Sequence, residues 1–310
     1  MDKNINSMVP LFPRRKSYLT NLISAIVLIA LVYITLCSSN ASKLYINLIG
    51  ISFRQMKGLM FVILYTIIMA VSLNLSTGCL GELVLCQAGF MAIGAYAGSI
   101  FLIKVDAGNA SSAMQNVYTV CALAIGFVAS GIGGILVGIP ALRLRGDYLA
   151  IITLGFGQII VKAIELFKFT GGASGLSKIP INDNLILYLL ITMLVVFVLF
   201  TFMRSKYGRS ILAIREDAIA AESSGINVTK VKIITLAFSA ALAGVAGVLL
   251  AQLNGRIDPK SFDFNQSINY LVIVVLGGLG SFTGSIISSI VLTLLPESLR
   301  FLSDYRLIIY

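Results

Sequence analysis

The 310-residue sequence has no histidine and only four cysteines, and its 13 acidic residues are outnumbered by 23 lysines and arginines. Without histidine, imidazole general-base catalysis and His-ligated metals are excluded. Cys37, Cys79, Cys86 and Cys121 lie in or beside apolar runs without C-x-x-C spacing. They read as small packing residues, not as zinc ligands or a disulfide framework. There is no G-x-x-x-x-G-K-[ST] phosphate loop; the nearest approach, Gly255 followed by Lys260-Ser261, lacks the second glycine. ATP is therefore not bound by that route. Ser/His/Asp, Cys/His and paired-carboxylate arrangements are also missing. The chain is expected to be no enzyme and to hold neither cofactor nor metal.

What the chain has is apolar residues, 58% of the total, with a mean hydropathy of +0.96. Too little polar surface remains to cover a soluble domain, so the solvent must largely be lipid. Uncharged runs occupy 19–42, 58–81, 83–103, 107–142, 184–203, 233–255 and 264–296. Each is long enough to cross about 30 Å of hydrocarbon as a helix. A shorter run, 148–161, becomes a span if Lys162 snorkels outward and the helix continues to about Phe167. The expectation is an all-α polytopic membrane protein of about eight transmembrane or re-entrant helices. A signal-peptide reading of residues 1–37 fails because the apolar stretch after Arg14-Arg15-Lys16 is long and no A-x-A-like site follows. Ile34-Thr35-Leu36-Cys37 is a poor lipoprotein site, Leu36 being too bulky, so this stretch is read as a retained first span.

Basic residues set the orientation. With the N-terminus cytoplasmic, segments 1–19, 80–82, 140–147, 204–232 and 296–310 face inward and hold 14 of the 23 Lys and Arg. Segments 38–57, 104–116, 168–183 and 255–266 hold eight. The bias supports a cytoplasmic N-terminus and accounts for the +10 formal charge by membrane flanks, without nucleic acid. The chain divides into a cytoplasmic segment 1–19 and a transmembrane domain 20–310, whose longest polar loop is 204–232.

Two runs do not read as simple rods. Residues 83–103 follow the short connection Gly78–Glu82 and carry Gly89, Gly94 and Gly98; 264–296 carries Gly277-Gly278-Leu279-Gly280 near its middle. G-x-x-x-G spacing at Gly94/Gly98, Gly134/Gly138 and Gly280/Gly284 brings backbones close. Breaks at such glycines either serve tight packing or expose peptide groups to a pathway. Ionisable groups at membrane depth are few. Lys162 and Glu165, three apart, read as a structural ion pair; Glu82, at a segment junction, reads as solvated; Gln158 reads as a hydrogen-bond partner for a neighbouring helix. With neither an ATP site nor an ion relay, the energy for any transport must come from a partner.

The loop suited to receive that energy runs from Tyr207 to Gly225. From Arg209 it reads as one or two short helices, with Ile211, Ile214 and Ala218 on one face, Arg215, Glu216 and Glu222 elsewhere, and Gly225 as a stop. Such an amphipathic rod can lie in a groove of a soluble subunit and act as a lever, or can rest on the bilayer.

Gly208-Arg209-Ser210-Ile211-Leu212-Ala213-Ile214-Arg215-Glu216-Asp217, continuing to Ala220-Ala221-Glu222 and Gly225-Ile226-Asn227, resembles the coupling loop of branched-chain amino acid ABC-importer permeases of the LivM type. Leu142–Ile151 is similar to the family's L-R-L-x-G-x-Y-x-A-I stretch, and Thr170–Leu176 to its T-G-G-x-x-G-L loop. Ile257-Asp258-Pro259 with Phe262 and Phe264, then Val274–Ser281, is similar to its C-terminal signature. These segments occur in family order over residues 70–300. The sequence departs from the pattern at Ile219, where the broader E-A-A-x-x-x-G signature has glutamate, and at Val84, Cys86 and Gly89 within S-L-G-x-A-A-F. It also stops at Tyr310, where relatives usually continue into a last span, which reads as truncation.

The resemblance implies an ABC-importer permease fold in the bacterial cytoplasmic membrane. It implies a homologous second permease, two ATP-binding cassette subunits that use the ATP, and an extracytoplasmic substrate-binding protein as partners, with leucine, isoleucine or valine as cargo. ATPase coupling falls to Gly208, Arg209, Arg215, Glu216, Asp217, Ala220, Ala221, Glu222 and Gly225. The translocation pathway is expected at Gln87, Phe90, Gly94, Tyr96, Gln158, Gly277, Gly278 and Gly280. Urea or a short amide is the alternative cargo. From other classes, an ion-coupled carrier or channel and a membrane assembly protein remain open.

Overall fold

In the computed structural model the described residues are 53–298, apart from 110, 143 and 145. The expected first span at 19–42, the segment 1–19 and the residues beyond 298 lie outside them. The described residues contain helices and no strand, the one β pairing being an isolated antiparallel bridge between Leu176 and Ile257.

The helices are α1 (Phe53–Leu73), extended by a π-helical turn over Asn74–Cys79, then α2 (Gln87–Lys104), α3 (Ser112–Ala141) and α4 (Asp147–Leu166). They continue with α5 (Leu185–Arg204), α6 (Lys206–Glu216), α7 (Ala218–Ser223), α8 (Val228–Asn254), α9 (Phe264–Gly277) and α10 (Phe282–Ser298). Five of them, at 57–79, 113–141, 148–166, 185–204 and 228–254, are long and apolar enough to cross a membrane. With the backbone groups between their end turns bonded inside the helix, they suit a solvent that offers no hydrogen bonds. Side chains start several of them: Asn184, Ser205, Asp217, Asn227 and Asp263 each accept from a backbone N–H in the first turn that would otherwise be unpaired.

Burial sorts the spans into inner and outer ones. The α1 and α8 spans are 83% and 72% buried, whereas the α4 span is 22% buried and presents Ile151 and Ile159 outward. Aliphatic packing cannot by itself hold helices together in lipid, since the lipid is equally apolar; close backbone approach does so instead. Where α2, α3 and α8 meet, a Cβ on Gly94 would overlap the backbone of Gly244, and one on Gly244 would overlap Ser130 and the Gly126 carbonyl. Hydrogen bonds reinforce the crossing. The Ser130 hydroxyl donates to the Phe90 carbonyl at 2.8 Å, and the Ser239 hydroxyl of α8 to the Ser72 carbonyl of α1 at 2.7 Å.

The 264–296 run is corrected by the structure. It is not one crossing with a flaw at its centre but an antiparallel helical hairpin, α9–α10, with its tip at Gly278–Ser281. The Ser288 hydroxyl donates to the Ile273 carbonyl at 2.6 Å, and a Cβ on Gly277 would lie 2.6 Å from the Gly284 carbonyl carbon. The tip, not the 296 end, shares the end of the bundle occupied by α6 and α7. The physical reason is the run of glycines: Gly278 and Gly280 have φ of +91° and +85°, a reversal that residues with a Cβ resist. Gly280 therefore serves the turn, and Gly284 packs on Gly277 instead of completing a G-x-x-x-G face with it.

The run beginning at residue 83 is also divided. Residues 80–86 are non-helical and turn back into the bundle, where the Leu85 N–H donates to Thr153 Oγ1 of α4 at 3.1 Å and the Ala88 N–H to Ser267 Oγ of α9 at 3.1 Å. These bonds satisfy backbone groups that lipid could not, which is the condition for a re-entrant segment.

Candidate functional site

The site is built where the α6–α7 segment meets the two reversals in the bundle. α5 ends at Arg204, and Ser205 turns the chain into α6 by accepting from the Gly208 N–H at 3.5 Å. Gly208 packs directly on the Met203 backbone, a closeness that excludes a side chain. Along α6, Gly208, Ile211 and Ile214 are buried, the spacing of one helical face, while Arg209, Arg215 and Glu216 are exposed. The segment is two helices broken at Asp217, which is extended and whose carboxylate accepts from Ile219 N–H at 2.8 Å and Ala220 N–H at 3.1 Å. Ala221 is buried; Ala220 and Glu222 are exposed. α7 ends on Gly225, at φ +82°, with Gly225 N–H donating to the Glu222 carbonyl and Ile226 N–H to the Ala221 carbonyl, a Schellman close. The expected apolar face of Ile211, Ile214 and Ala218, the last half-buried, is thus present.

Arg215, in the last turn of α6, reaches both reversals. Its Cγ lies 3.4 Å from where a Cβ of Gly81 would sit, and its Nη1 lies 3.0 Å from the corresponding point on Gly280. The hairpin tip is held from the other side by Asn74, a fully buried residue of the π-helical turn. Its Oδ1 accepts from the Gly280 N–H at 2.8 Å and its Nδ2 donates to Ser285 Oγ at 2.9 Å. Gly78 lies against the same tip, where a side chain would overlap both Asn74 and the Gly280 nitrogen. Single-turn π-helix of this kind shifts the register of a helix and is often found at functional positions.

Glu82 corrects the sequence reading. It is not solvated: its carboxylate pairs with Lys232 of α8, the two side chains being only 13% and 11% exposed. The pairing neutralises a carboxylate that the re-entrant turn would otherwise carry into the bundle. Lys162 and Glu165 do form their i,i+3 pair, at 2.6 Å.

The residues expected along a pathway do not form one group. Gly277, Gly278 and Gly280 gather at the hairpin tip beside Arg215, so there the coupling and pathway sets touch. Gln87 is fully buried at the start of α2; its Nε2 donates to Ser72 Oγ at 2.9 Å and contacts Ser239 Oγ at 3.4 Å, while its Oε1 has no partner. Phe90 and Gly94 belong to the α2–α3–α8 crossing. Tyr96 lies toward the opposite end, edge-on to Phe262 with ring centroids 6.4 Å apart, its hydroxyl buried and unpartnered. Gln158 stands apart, half-buried on α4, and the hydrogen bond expected of it to a neighbouring helix is not formed among the described residues.

Sequence reasoning missed Asn74, Ser285, Ser239 and Lys232. Asn74 carried a usable signal, an amide inside an otherwise apolar run, where its cost in lipid demands a partner. At the far end of the bundle two quoted motifs meet: the Leu176 N–H donates to the Ile257 carbonyl at 3.0 Å, and the Ile257 N–H to the Leu176 carbonyl at 2.9 Å.

Residues 55–309 match the family model described as the permease component of branched-chain amino acid transport systems. The chain is 36% identical over 277 residues to the high-affinity branched-chain amino acid transport system permease protein LivM of Salmonella typhimurium and to LivM of Escherichia coli, covering 78% of this chain and 63% of each relative. It is 38% identical over 104 residues to the permease protein LivH of Escherichia coli, 33% of either chain. The chain thus spans less than two thirds of the length of the LivM relatives. No solved structure matches it.

Proposed function

Because this chain belongs to the family of permease components of branched-chain amino acid transport systems, we propose that it is the membrane-spanning subunit of an ATP-driven importer for leucine, isoleucine and valine. In this reading it works beside a homologous second permease, two ATP-binding cassette subunits that hold and hydrolyse the ATP, and an extracytoplasmic binding protein. It performs no chemistry itself. The N-terminus and the α6–α7 segment face the cytoplasm, and the Leu176–Ile257 end faces out.

The observation that carries the reading is the position of Arg215. The α6–α7 segment has an exposed side free for a soluble subunit, and the exposed Arg215 at its border lays its aliphatic stem beside Gly81 and its guanidinium beside Gly280. A displacement of α6 by a nucleotide-driven partner is then felt at both turns together, since packed interiors transmit displacement instead of absorbing it. The exposed half of α6–α7 also supports docking: Arg209, Glu216 and Glu222 offer charge of both signs around Ile219, which is 72% exposed.

The test is reconstitution of the permease pair with its ATPase subunits and binding protein in lipid vesicles, followed by uptake of labelled leucine. ATP-dependent uptake in the wild type, lost in Arg215→Ala at unchanged assembly, is the expected outcome. Leucine uptake that proceeds without ATP, or equal uptake in the variant, refutes it.

A further inference from the structure

The motifs Thr170–Leu176 and Ile257–Phe262 are not used by the coupling end, yet they are built against one another with care. The Leu176–Ile257 bridge fixes the segment after α8 as extended chain, and Gly175 packs directly on the Ile257 carbonyl. Pro259 and Phe262 are buried in the short helical turn that follows. Between this turn and the end of α8 is an open cleft of about 190 Å³, lined by Leu250, Asn254, Arg256, Asp258, Ser261 and Phe262, with Ile257 at its base.

The lining has an unusual charge arrangement. Arg256 and Asp258 are two apart in extended backbone, Asp258 having φ −118° and ψ 132°. Alternate residues of an extended chain share a face about 6.5 Å apart, so a cation and an anion border the same space. They do not neutralise each other: the ion pairs among the described residues are Lys162–Glu165 and Lys232–Glu82. Arg256 spends one N–H on the Ser174 carbonyl at 3.3 Å, and Asp258 accepts the Lys260 N–H at 3.4 Å. Most of the guanidinium fork and most carboxylate lone pairs stay open. Of the remaining walls, Leu250 and Phe262 are apolar and Asn254 and Ser261 polar, and Tyr96 lies edge-on to Phe262.

The geometry points to a binding site for the zwitterion of a branched-chain α-amino acid at this end of the permease. The α-carboxylate is taken by Arg256, the α-ammonium by Asp258, and the aliphatic side chain by Leu250 and Phe262. A volume below the roughly 300–1,000 Å³ of pockets for drug-sized ligands suits a single amino acid. The open geometry suits a transient stop between a delivering protein and the bundle, where tight binding would slow passage. The assignment of the ligand as a branched-chain amino acid rests on the function proposed above.

The experiment is equilibrium binding of labelled L-leucine to the purified permease complex without binding protein, with leucinol and 4-methylpentanoate as competitors. The first competitor lacks the carboxylate and the second the amine. Both should compete at least tenfold more weakly than leucine. Arg256→Gln and Asp258→Asn should each weaken leucine binding at least tenfold with unchanged melting temperature; Asn retains the cap that Asp258 provides, and Arg256 is exposed. Competitors within threefold of leucine, or leucine binding indifferent to both substitutions, would overturn the site. ATP-driven uptake by the wild-type complex separates the two readings. A complex that imports leucine while its binding ignores Arg256 and Asp258 removes the site alone, and one that binds leucine as described but imports none removes the proposed function alone.

Discussion

Replacing Asn74 by alanine should loosen the α9–α10 hairpin without unfolding the bundle. The side chain makes two hydrogen bonds, one from Gly280 N–H at 2.8 Å and one to Ser285 Oγ at 2.9 Å, and is fully buried. Ser285 keeps its bond to the Ser281 carbonyl at 3.1 Å after the change. The Gly280 N–H has no such fallback. Interhelical side-chain hydrogen bonds in membrane proteins average about 0.6 kcal/mol and reach about 1.7, and a buried donor left unsatisfied costs about 1–3 kcal/mol. The total is about 1.6–3.6 kcal/mol, enough to shift a two-state equilibrium of the hairpin about 15- to 450-fold. Ser285→Ala leaves the Asn74 Nδ2 donor without its partner while the Gly280 N–H keeps its own, and should cost about 1 kcal/mol. The assay is thermal unfolding of purified protein together with leucine imported per ATP hydrolysed in vesicles. Asn74→Ala should lower the melting temperature modestly and the transport ratio strongly, with Ser285→Ala intermediate. If Asn74→Ala matched wild type in both, or Ser285→Ala did equal damage, the hairpin tip would not be the joint described.

At the α2–α3–α8 crossing, Gly244→Ala should sharply reduce the folded protein recovered from membranes, because the new methyl overlaps Ser130 and the Gly126 carbonyl; Gly155→Ala, with nothing within 4 Å, should leave recovery unchanged. Equal recovery of the two would show the crossing to be less tight than described. Glu82→Gln leaves Lys232 unpartnered beside the re-entrant turn and should cost up to about 3 kcal/mol, with the double variant Glu82→Gln/Lys232→Met regaining most of it in a melting assay. Asp217→Ala removes the cap of α7 and should cost about 1 kcal/mol; Asp217→Asn should be nearly silent, as read by amide hydrogen exchange across Ala218–Ser223.

The spans were legible because lipid imposes one rule on them all: a long uncharged run needs a helix. Hence the ends of α3, α5 and α8, and of α1 taken with its π-helical turn, fall within about five residues of the charge boundaries. The α6–α7 segment was legible for a related reason, its Ile211, Ile214 and Ala218 face being local information, and so was the stop at Gly225. The α9–α10 hairpin was not. A glycine run within apolar sequence is compatible with a kinked rod, an unwound centre or a full reversal, and the choice is made by partners far away in sequence. Asn74 is 206 residues from Gly280. Glu82 was misread for the same reason, its partner Lys232 being 150 residues away.

That distance dependence bears on how the bundle divides mechanically. The α2–α3–α8 crossing is closed by the Gly94 backbone against that of Gly244, with the Gly126 carbonyl and the short Ser130 side chain packed on Gly244, and little in these contacts can yield. The hairpin tip is closed differently, by the side chains of Asn74 and Arg215 on one turn of glycines. Side-chain contacts can break and re-form at a cost of about 1–3 kcal/mol, whereas separating interlocked glycine faces requires moving whole helices. In the proposed coupling, a force applied through α6 would therefore meet its least resistance at Gly278–Ser281. In this arrangement α1, α2, α3 and α8 form the frame, and the α9–α10 hairpin is the element whose displacement costs least.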